Sequence, residues 1–340
     1  MLLDWLFFFT FIFLSSWCLT WLLKRIALHH SLLDIPNQRS SHNQPTPRGG
    51  GLAILLACYL GGSYLALTGR IVIPHLFVLG GCGLGIAIIG LLDDLFHLSS
   101  GIRIVVHFGC ALLALSFLSF NNYSLFSNGG GILSSVTLIL LAFGVVWSIN
   151  LYNFMDGIDG LAGIEAVTIT LGAGFLLYLS GETDGSFHLL SLLAASVFGF
   201  LIFNWPPARI FMGDACSGFL GFFFAIIALL TAQSTRLTLW TWMILLGVFV
   251  VDSGVTLLTR IYLRKKFYEA HRSHAYQILA RRLQSHKKVT LAVLAVNLLW
   301  LFPCAFFATL WPGYGLLITI LSYIPLVLVC VKVRAGAIND

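Results

Sequence analysis

The sequence has little charge: Asp, Glu, Lys and Arg together make up 9% of its 340 residues. Ordinary soluble domains contain about 25% charged residues, so this composition argues against a soluble globular protein. Hydrophobic residues account for 59% of the chain, and the mean hydropathy is +0.94. The chain is therefore predicted to be a polytopic membrane protein, and we expect no nucleic-acid partner.

Closely spaced cysteines are also lacking. The seven cysteines stand singly, mostly within apolar runs, which argues against zinc and redox motifs and favours a packing role. The sequence shows no internal repeat of fixed period. Lys24 and Arg25 follow the first apolar run instead of preceding it, the reverse of the order in a signal peptide. That run is therefore predicted to be the first membrane span.

Apolar runs recur through the whole chain at the length that a bilayer-spanning helix needs, ~20 residues. We predict an all-α polytopic fold of about eleven transmembrane helices (ten or eleven), in a single transmembrane catalytic domain covering residues 1–340. The predicted spans are residues 2–23, 49–69, 71–92, 102–120, 131–149, 160–180, 188–204, 216–233, 239–259, 289–309 and 314–331.

The basic residues predict the orientation, because cytoplasmic loops carry an excess of Lys and Arg. Of the 19 such residues, Arg70 and Arg236 fall on the side of the short loops and the N-terminus, and the rest fall on the other side. The N-terminus is therefore predicted to be periplasmic and the C-terminus cytoplasmic. The predicted cytoplasmic loops are 24–48, 93–101, 150–159, 205–215 and 260–288.

Segment 150–160 places two amides and two carboxylates between apolar runs. Asn150, Asn153, Asp156 and Asp159 are spaced three residues apart. Ionisable groups near hydrocarbon are costly unless they are paired or face water. Oxygen ligands of this kind suit a hard cation such as Mg²⁺, which usually takes one or two protein ligands together with substrate phosphates. Helix capping at the membrane edge is the alternative.

Further carboxylates share the predicted cytoplasmic face. Asp93 and Asp94 are adjacent, and such a pair repels unless a cation, a proton or a metal-bound phosphate relieves it. A solvated helix end would tolerate the pair without any ligand. Asp214 precedes the eighth span, where it would either contribute to a site or cap that helix.

Basic residues in the first and last cytoplasmic loops are suited to bind phosphate. They are Arg39, His42 and Arg48 in the first loop, and His271, Arg272 and His274 in the last. Helix N-termini on the same face would favour an anionic ligand as well. The alternatives are lipid-facing anchors in the first loop and a polybasic strip at anionic lipid headgroups in the last.

These motifs, in this order, resemble those of the polyprenyl-phosphate N-acetylhexosamine-1-phosphate transferases. The shared motifs are Pro-Asn-x-Arg-Ser-x-His, Pro-x-Pro-x-Gly-Gly, Asp-Asp, Asn-x-x-Asn-Phe-x-Asp-Gly-x-Asp-Gly, Phe-x-Gly-Asp and the late basic loop. That loop reads His-Arg-Ser-His instead of three consecutive histidines, which resembles the branch that initiates O-antigen or common-antigen synthesis more than the peptidoglycan branch. The resemblance implies a bacterial inner-membrane protein with a cytoplasmic active site.

The resemblance also implies residue roles. Asn153 and Asp214 would bind the Mg²⁺ cofactor, with Mn²⁺ as an alternative, and Asp159 would recognise uracil. The remaining implied site residues are Asp93, Asp94 and Asp156 as catalytic residues, and Arg39, His42, Asn150, His271, Arg272 and His274 as substrate-binding residues. His97 stands where many members carry Lys or Asp, so its role stays open.

The implied reaction transfers an N-acetylhexosamine 1-phosphate from a UDP-sugar to undecaprenyl phosphate and releases UMP, as the initiating step of O-antigen or related polysaccharide synthesis. Undecaprenyl phosphate, a UDP-N-acetylhexosamine and membrane lipids are the expected partners. The sugar, a one-step or covalent mechanism, and the oligomeric state, a homodimer included, stay open.

A transporter or flippase of lipid-linked sugars is the alternative from another class. Transporters usually place coupling charges near the bilayer midplane, on broken helices within inverted repeats. The carboxylates here cluster at one face, which favours the enzyme. Glu165 and Asp252, each predicted to lie a turn or two inside a span, weaken that contrast. A lipid-pyrophosphate phosphatase, a second rival enzyme, would need no uridine site.

Overall fold

Helices make up nearly all the regular structure of the protein. The computed structural model describes residues 2–36, 44–120, 132–183, 185–265 and 271–337. The helices are α1 (Leu2–His29), α2 (Leu52–Leu67), α3 (Ile73–Phe96), α4 (Ser100–Phe120), α5 (Ile132–Met155), α6 (Leu161–Leu179), α7 (Gly185–Asn204), α8 (Asp214–Ser234), α9 (Leu239–Leu245), α10 (Gly247–Tyr262), α11 (Ala275–Leu283), α12 (His286–Leu310) and α13 (Gly315–Val333). Strands β1 (Leu33–Asp34) and β2 (Thr46–Pro47) pair antiparallel.

Each of the predicted spans coincides with a helical segment. Within the described part of the chain, nine helices are long and apolar enough to cross a bilayer, and α9 with α10 forms a tenth candidate that is bent by 80°. Helix α2 has 16 residues, fewer than the ~20 that a perpendicular span needs. The chain is a multi-pass membrane protein, and the predicted all-α polytopic fold is confirmed, with ten candidate spans or eleven if α2 is counted. The orientation stays a prediction.

The helices form an inner and an outer layer. In α8, 89% of the most apolar stretch is buried inside the protein, whereas in α1 the share is 17%. Helix α8 packs against α3 and α5, and α7 packs against α1 and α6. The outer helices expose large apolar side chains such as Phe7, Leu299 and Val331. An apolar surface of this extent is typical of contact with lipid.

Helix α3 approaches the start of α8 closely because a glycine stands at their crossing. A Cβ on Gly90 would lie 2.5 Å from the carbonyl oxygen of Asp214, so a larger residue would force the helices apart. Small residues allow such close helix packing in membranes. The crossing brings the end of α3, with Asp93 and Asp94, next to the first residue of α8.

The chain segment between β2 and α2 is tied to the segment that precedes α8. The N–H groups of Gly50 and Gly51 donate to the carbonyl oxygens of Phe211 and Met212, both at 2.9 Å. In return, the N–H of Phe211 donates to the carbonyl oxygen of Pro47 at 2.8 Å. The end of the first predicted cytoplasmic loop is thereby held beside the start of α8.

Candidate active site

A cavity of about 360 Å³ opens at the end of the bundle where α3, α5 and α7 end and α6, α8 and α12 begin. Its lining includes the carboxylates of Asp34, Asp93, Asp94, Asp156, Asp159 and Asp214. The other polar side chains of the lining are Arg48, His97, Asn204, Gln277 and His286. So many carboxylates in one cavity repel each other unless a cation or protons offset their charge.

Asp94 caps the N-terminus of α8. Its Oδ2 accepts a hydrogen bond from the N–H of Asp214 at 2.9 Å, and its carboxylate also accepts from the N–H of Ala215. The residue before the helix is Gly213, which has no side chain to cap with, so the cap is supplied by α3. A carboxylate satisfies the free N–H groups of a helix start and is favoured by the helix dipole. Asp94 therefore fixes the position of Asp214.

Asp93 lies in a charged cluster with Asp214 and Arg103. Nη1 of Arg103 donates to Oδ2 of Asp93 at 2.5 Å and lies 3.7 Å from Oδ2 of Asp214. The carboxyl groups of Asp93 and Asp214 also contact each other. The cluster therefore holds two carboxyl groups around one guanidinium, which partly offsets their repulsion.

The two predicted metal ligands are neighbours. Nδ2 of Asn153, on the last turn of α5, donates to Oγ of Ser217 at 3.0 Å and also to the carboxylate of Asp214. The described residues contain no group of three or more His, Cys, Asp or Glu side chains arranged to hold a metal ion. Mg²⁺ usually takes one or two protein ligands and completes its shell with water and substrate phosphates, so an amide and a carboxylate fit it. The assignment stays a prediction.

Asp156 lies in the turn between α5 and α6 and faces the cavity. Burial raises the pKa of its carboxyl well above the ordinary value, and the nearby charges of Asp214, Asp94 and Asp159 raise it further. A cation bound in the cavity would act in the opposite direction, because a nearby positive charge favours the ionised form.

Asp159 is held by contacts on both carboxylate oxygens. Its Oδ2 accepts from the N–H of Ala208 at 3.0 Å, and its Oδ1 lies 3.2 Å from Nδ1 of His286. Its carbonyl oxygen accepts from Oγ1 of Thr290 at 2.9 Å. These contacts tie the turn before α6 to the start of α12, and they fix the direction in which the carboxylate faces the cavity.

Asn150 lies deeper in the protein than Asp159. Its Nδ2 donates to the carbonyl oxygen of Val146 in its own helix at 2.7 Å. Together with Asn153, Asp93 and Asp214, it lines a small cavity of about 20 Å³ next to the charged cluster. A contact between Asn150 and substrate stays a prediction.

The last loop packs beside the large cavity, and α11 contributes Gln277 to the lining. His274 is buried, and its Nδ1 lies 3.3 Å from Oδ1 of Asp252. The ring of His271 stacks on that of His274 with centroids 5.0 Å apart. None of His271, Arg272 and His274 is among the described lining residues, so their contact with substrate stays a prediction.

The predicted site residues that the structure brings together lie in two adjoining cavities. Asp93, Asp94, Asp156, Asp159 and Asp214 line the large cavity, and Asn150 and Asn153 line the adjoining small one. Arg39 and His42 lie outside the described residues.

Sequence reasoning missed Arg103 and His286. Arg103 stands ten residues after Asp93, across the short turn between α3 and α4, which is the signal that would have indicated a pair. His286 follows Ser285, whose side chain accepts from the N–H of Lys288 and caps α12. A Ser before a predicted helix therefore marks His286 as the first helical residue at this end of the bundle.

Known sequences similar to this chain are transferases. The model of the family described as Glycosyl transferase family 4 matches residues 76–232. The chain is 28% identical to the probable undecaprenyl-phosphate N-acetylglucosaminyl 1-phosphate transferase of Bacillus subtilis, over 91% of this chain and 87% of that protein. It is also similar to the undecaprenyl-phosphate alpha-N-acetylglucosaminyl 1-phosphate transferases of Yersinia pestis (27% identity) and Escherichia coli O157:H7 (28% identity), in both cases over 85% of this chain and 80% of the relative.

Proposed function

We propose that this chain, which carries a glycosyl transferase family 4 domain in residues 76–232, transfers an N-acetylhexosamine 1-phosphate from a UDP-sugar to undecaprenyl phosphate and releases UMP. The product, an undecaprenyl-pyrophosphate-sugar, would start the assembly of O-antigen or a related cell-surface polysaccharide. The observation that carries the proposal is the carboxylate-lined cavity at one end of a membrane-spanning bundle, in a chain similar over 91% of its length to a transferase that is named for undecaprenyl phosphate.

The charge of the cavity supports a cation-dependent reaction. A UDP-sugar and a lipid phosphate are both anionic, so the carboxylates of the cavity would repel them without a cation. Asn153 and Asp214 would hold that cation, which we propose to be Mg²⁺, with Mn²⁺ as an alternative. When bound with substrate, the metal would polarise the pyrophosphate and offset the charge of the departing UMP. Asp94 serves this arrangement by fixing the first turn of α8.

In the proposed chemistry, an oxygen of the lipid phosphate forms a bond to the β-phosphorus of the UDP-sugar while the bond from that phosphorus to UMP breaks. Phosphoryl transfer of this kind depends mostly on positioning and on charge neutralisation. Asp93 would take the remaining proton of the lipid phosphate, and because the second pKa of a phosphate monoester is about 6, little base strength is needed at neutral pH. Arg103 holds Asp93 in place for that transfer.

Side chains from several segments around the cavity would bind the substrate. The carboxylate of Asp159 keeps free lone pairs beside its contacts with Ala208 and His286, so it can accept from an N–H of the uracil base. Asn150 and Asp156 would shape the cleft around the nucleotide. The basic residues proposed to contact the sugar or phosphates are Arg39, His42, His271, Arg272 and His274.

The test is an assay of UMP release. The purified protein receives undecaprenyl phosphate, Mg²⁺ and a panel of UDP-sugars that includes UDP-GlcNAc and UDP-FucNAc, with and without a chelator. At least one UDP-sugar is expected to give chelator-sensitive UMP together with a lipid-linked sugar. The D214N variant is expected to lose about 100-fold or more, since metal assistance contributes several kcal/mol. If no UDP-sugar yields metal-dependent UMP, the proposal is wrong.

A further inference from the structure

Two buried carboxylates inside the bundle have no part in the proposed reaction. Glu165 lies in α6 with 0% of its surface exposed, and Asp252 lies in α10 with 4% exposed. Burying a carboxylate is costly unless hydrogen bonds or charges compensate it. The partners of each side chain therefore indicate what it does.

Glu165 joins α6 to α12 through a buried amide. Its Oε2 accepts from Nδ2 of Asn297 at 2.7 Å, and the same Nδ2 donates to Oγ1 of Thr168, also on α6, at 2.8 Å. Asn297 is itself buried, so this contact is a structural link between the two helices.

Asp252 caps the start of α11 with both of its carboxylate oxygens. Oδ1 accepts from the N–H of Ala275 at 2.8 Å, and Oδ2 accepts from the N–H of Tyr276 at 2.9 Å. These are the first two residues of α11, a helix of nine residues. Oγ1 of Thr256 donates to Oδ1 of Asp252 at 3.2 Å and orients the carboxylate. A negative charge at this point both satisfies the N–H groups and interacts favourably with the helix dipole.

The start of α11 in turn contacts the turn that carries the site. The hydroxyl of Tyr276 donates to the carbonyl oxygen of Phe154 at 2.9 Å and accepts from the N–H of Gly157. A Cβ on Gly157 would collide with that hydroxyl, so glycine is required for the approach. The contacted segment, 154–157, includes Asp156, and the next residue of α11, Gln277, lines the cavity.

We propose that Asp252 is a positioning residue of the active site. It fixes the start of α11, and through the hydroxyl of Tyr276 it fixes segment 154–157 at the edge of the cavity. The inference rests on the proposed transferase and deepens it, because it assigns a role in that reaction to a residue that does not touch substrate. It also accounts for a carboxylate inside a span without any transport function.

A double-mutant cycle of D252N and Y276F tests the proposal on the full-length protein in lipid nanodiscs. D252N keeps the shape of the side chain but replaces one accepting oxygen by a donor that faces a backbone N–H. Hydrogen bonds to charged groups are worth about 1.5–3 kcal/mol, so kcat is expected to fall about 10- to 100-fold with KM for the UDP-sugar changed less. Y276F is expected to lower kcat, and the double variant should be no slower than the slower single variant.

Hydrogen exchange supplies a readout that does not depend on activity. D252N is expected to speed amide exchange in both 271–284 and 150–160, and Y276F in 150–160 alone. S253A is the matched control, since Ser253 is equally buried and donates to the carbonyl oxygen of Phe249 in its own helix. S253A should leave kcat and both exchange rates at the wild-type values.

The proposal is wrong if the factors by which D252N and Y276F lower kcat multiply in the double variant. It is also wrong if amide exchange of 150–160 is unchanged in D252N. If D252N does not fold, T256V replaces it in the cycle, because this change removes one hydrogen bond to Asp252 and keeps both backbone contacts. Multiplying kcat factors of T256V and Y276F, or unchanged exchange of 150–160 in T256V, would then overturn the proposal. A wild-type protein without UMP release would refute the proposed function, whereas the exchange experiment would still test Asp252.

Discussion

At the scale of single residues, the adjacent carboxylates Asp93 and Asp94 have different partners and are expected to respond differently to substitution. The N–H of Asp214 donates to one oxygen of Asp94, Oδ2, whereas Asp252 uses both of its oxygens for α11, so an Asn at position 94 can keep the cap with its amide oxygen and Ala cannot. We expect D94N to keep activity within about tenfold of wild type and D94A to lose about 100-fold, with a lower unfolding temperature. UMP-release rates and thermal unfolding in detergent measure both effects.

The comparison of D94N with D94A separates capping from chemistry. If the charge of Asp94 takes part in proton transfer, the two variants should be equally impaired, and the capping role would be insufficient. D93N is the control: it removes the charge that pairs with Arg103, and it should lose activity without loss of the α8 cap.

Asp156 is expected to make the stability of the metal-free protein depend on pH. Because its pKa is raised in the folded state, the folded protein binds the proton more tightly than the unfolded chain does. The contribution of Asp156 to the free energy of unfolding is therefore fully present below the ordinary pKa of 3.8 and is lost as the pH rises through the raised value. Thermal unfolding with chelator, from about pH 5 to about pH 8, should show this fall in wild type and a flatter profile in D156N. Parallel profiles would contradict the assignment.

At this scale, the sequence predicted the acidic residues of the site more completely than its basic residues. Asp156 and Asp159 stand out because oxygen-rich side chains are rare beside apolar runs, and the structure places both in the cavity lining. Arg103 was within reach of the sequence, because it follows Asp93 by ten residues across a short turn. The helix start at Ser285 marks the position of His286, but its contact with Asp159 forms only when two distant helices pack, which no local pattern records.

At the scale of the elements, the C-terminal segment is expected to stabilise the last loop. The N–H of Gly336 donates to the carbonyl oxygen of Ser273 at 2.8 Å, and Gly336 has a φ of 77°. A Cβ there would lie 2.5 Å from the carbonyl oxygen of Thr256. We expect G336A to cost more than about 1 kcal/mol locally and to speed hydrogen exchange in 271–284.

Gly313 provides the matched control for this change. It lies at the opposite end of α13, and a Cβ on it would meet no atom within 4 Å. G313A should leave the exchange of 271–284 unchanged. Equal exchange in G336A and wild type would mean that the C-terminal segment does not hold the loop.

The helices were predictable to the extent that each is a long apolar run. The bend between α9 and α10 was not predictable from the sequence. Leu246 lies in a continuous apolar stretch without Pro, and hydropathy does not indicate the direction of a helix axis. Helix α11 was read as part of a loop. A helix of nine residues is marginal by itself in water, and here it depends on the distant carboxylate of Asp252.

At the scale of the whole molecule, the distribution of acidic side chains favours an enzyme over a transporter. The cavity carboxylates gather at one end of the bundle. Of the two acids inside the spans, Asp252 bonds to a helix start and Glu165 accepts from the amide of Asn297. A transporter would instead keep coupling charges at a central site between inverted repeats. The resemblance in the sequence motifs agrees with the match of residues 76–232 to the Glycosyl transferase family 4 model and with the similarity to undecaprenyl-phosphate N-acetylglucosaminyl 1-phosphate transferases.

The orientation of the bundle decides which compartment supplies the substrate. If the substrate is a cytoplasmic UDP-sugar, as proposed, the carboxylate-lined cavity is expected to open to the cytoplasm, and the excess of Lys and Arg in the adjoining loops predicts the same orientation. A fluorescent-protein fusion after Asp340 should therefore fluoresce, and an alkaline phosphatase fusion at the same point should be inactive. Phosphatase inserted beside Arg236, between α8 and α9, should be active because that loop is predicted to be periplasmic. The reverse pattern would place the cavity outside the cytoplasm and would exclude a cytoplasmic UDP-sugar as its substrate.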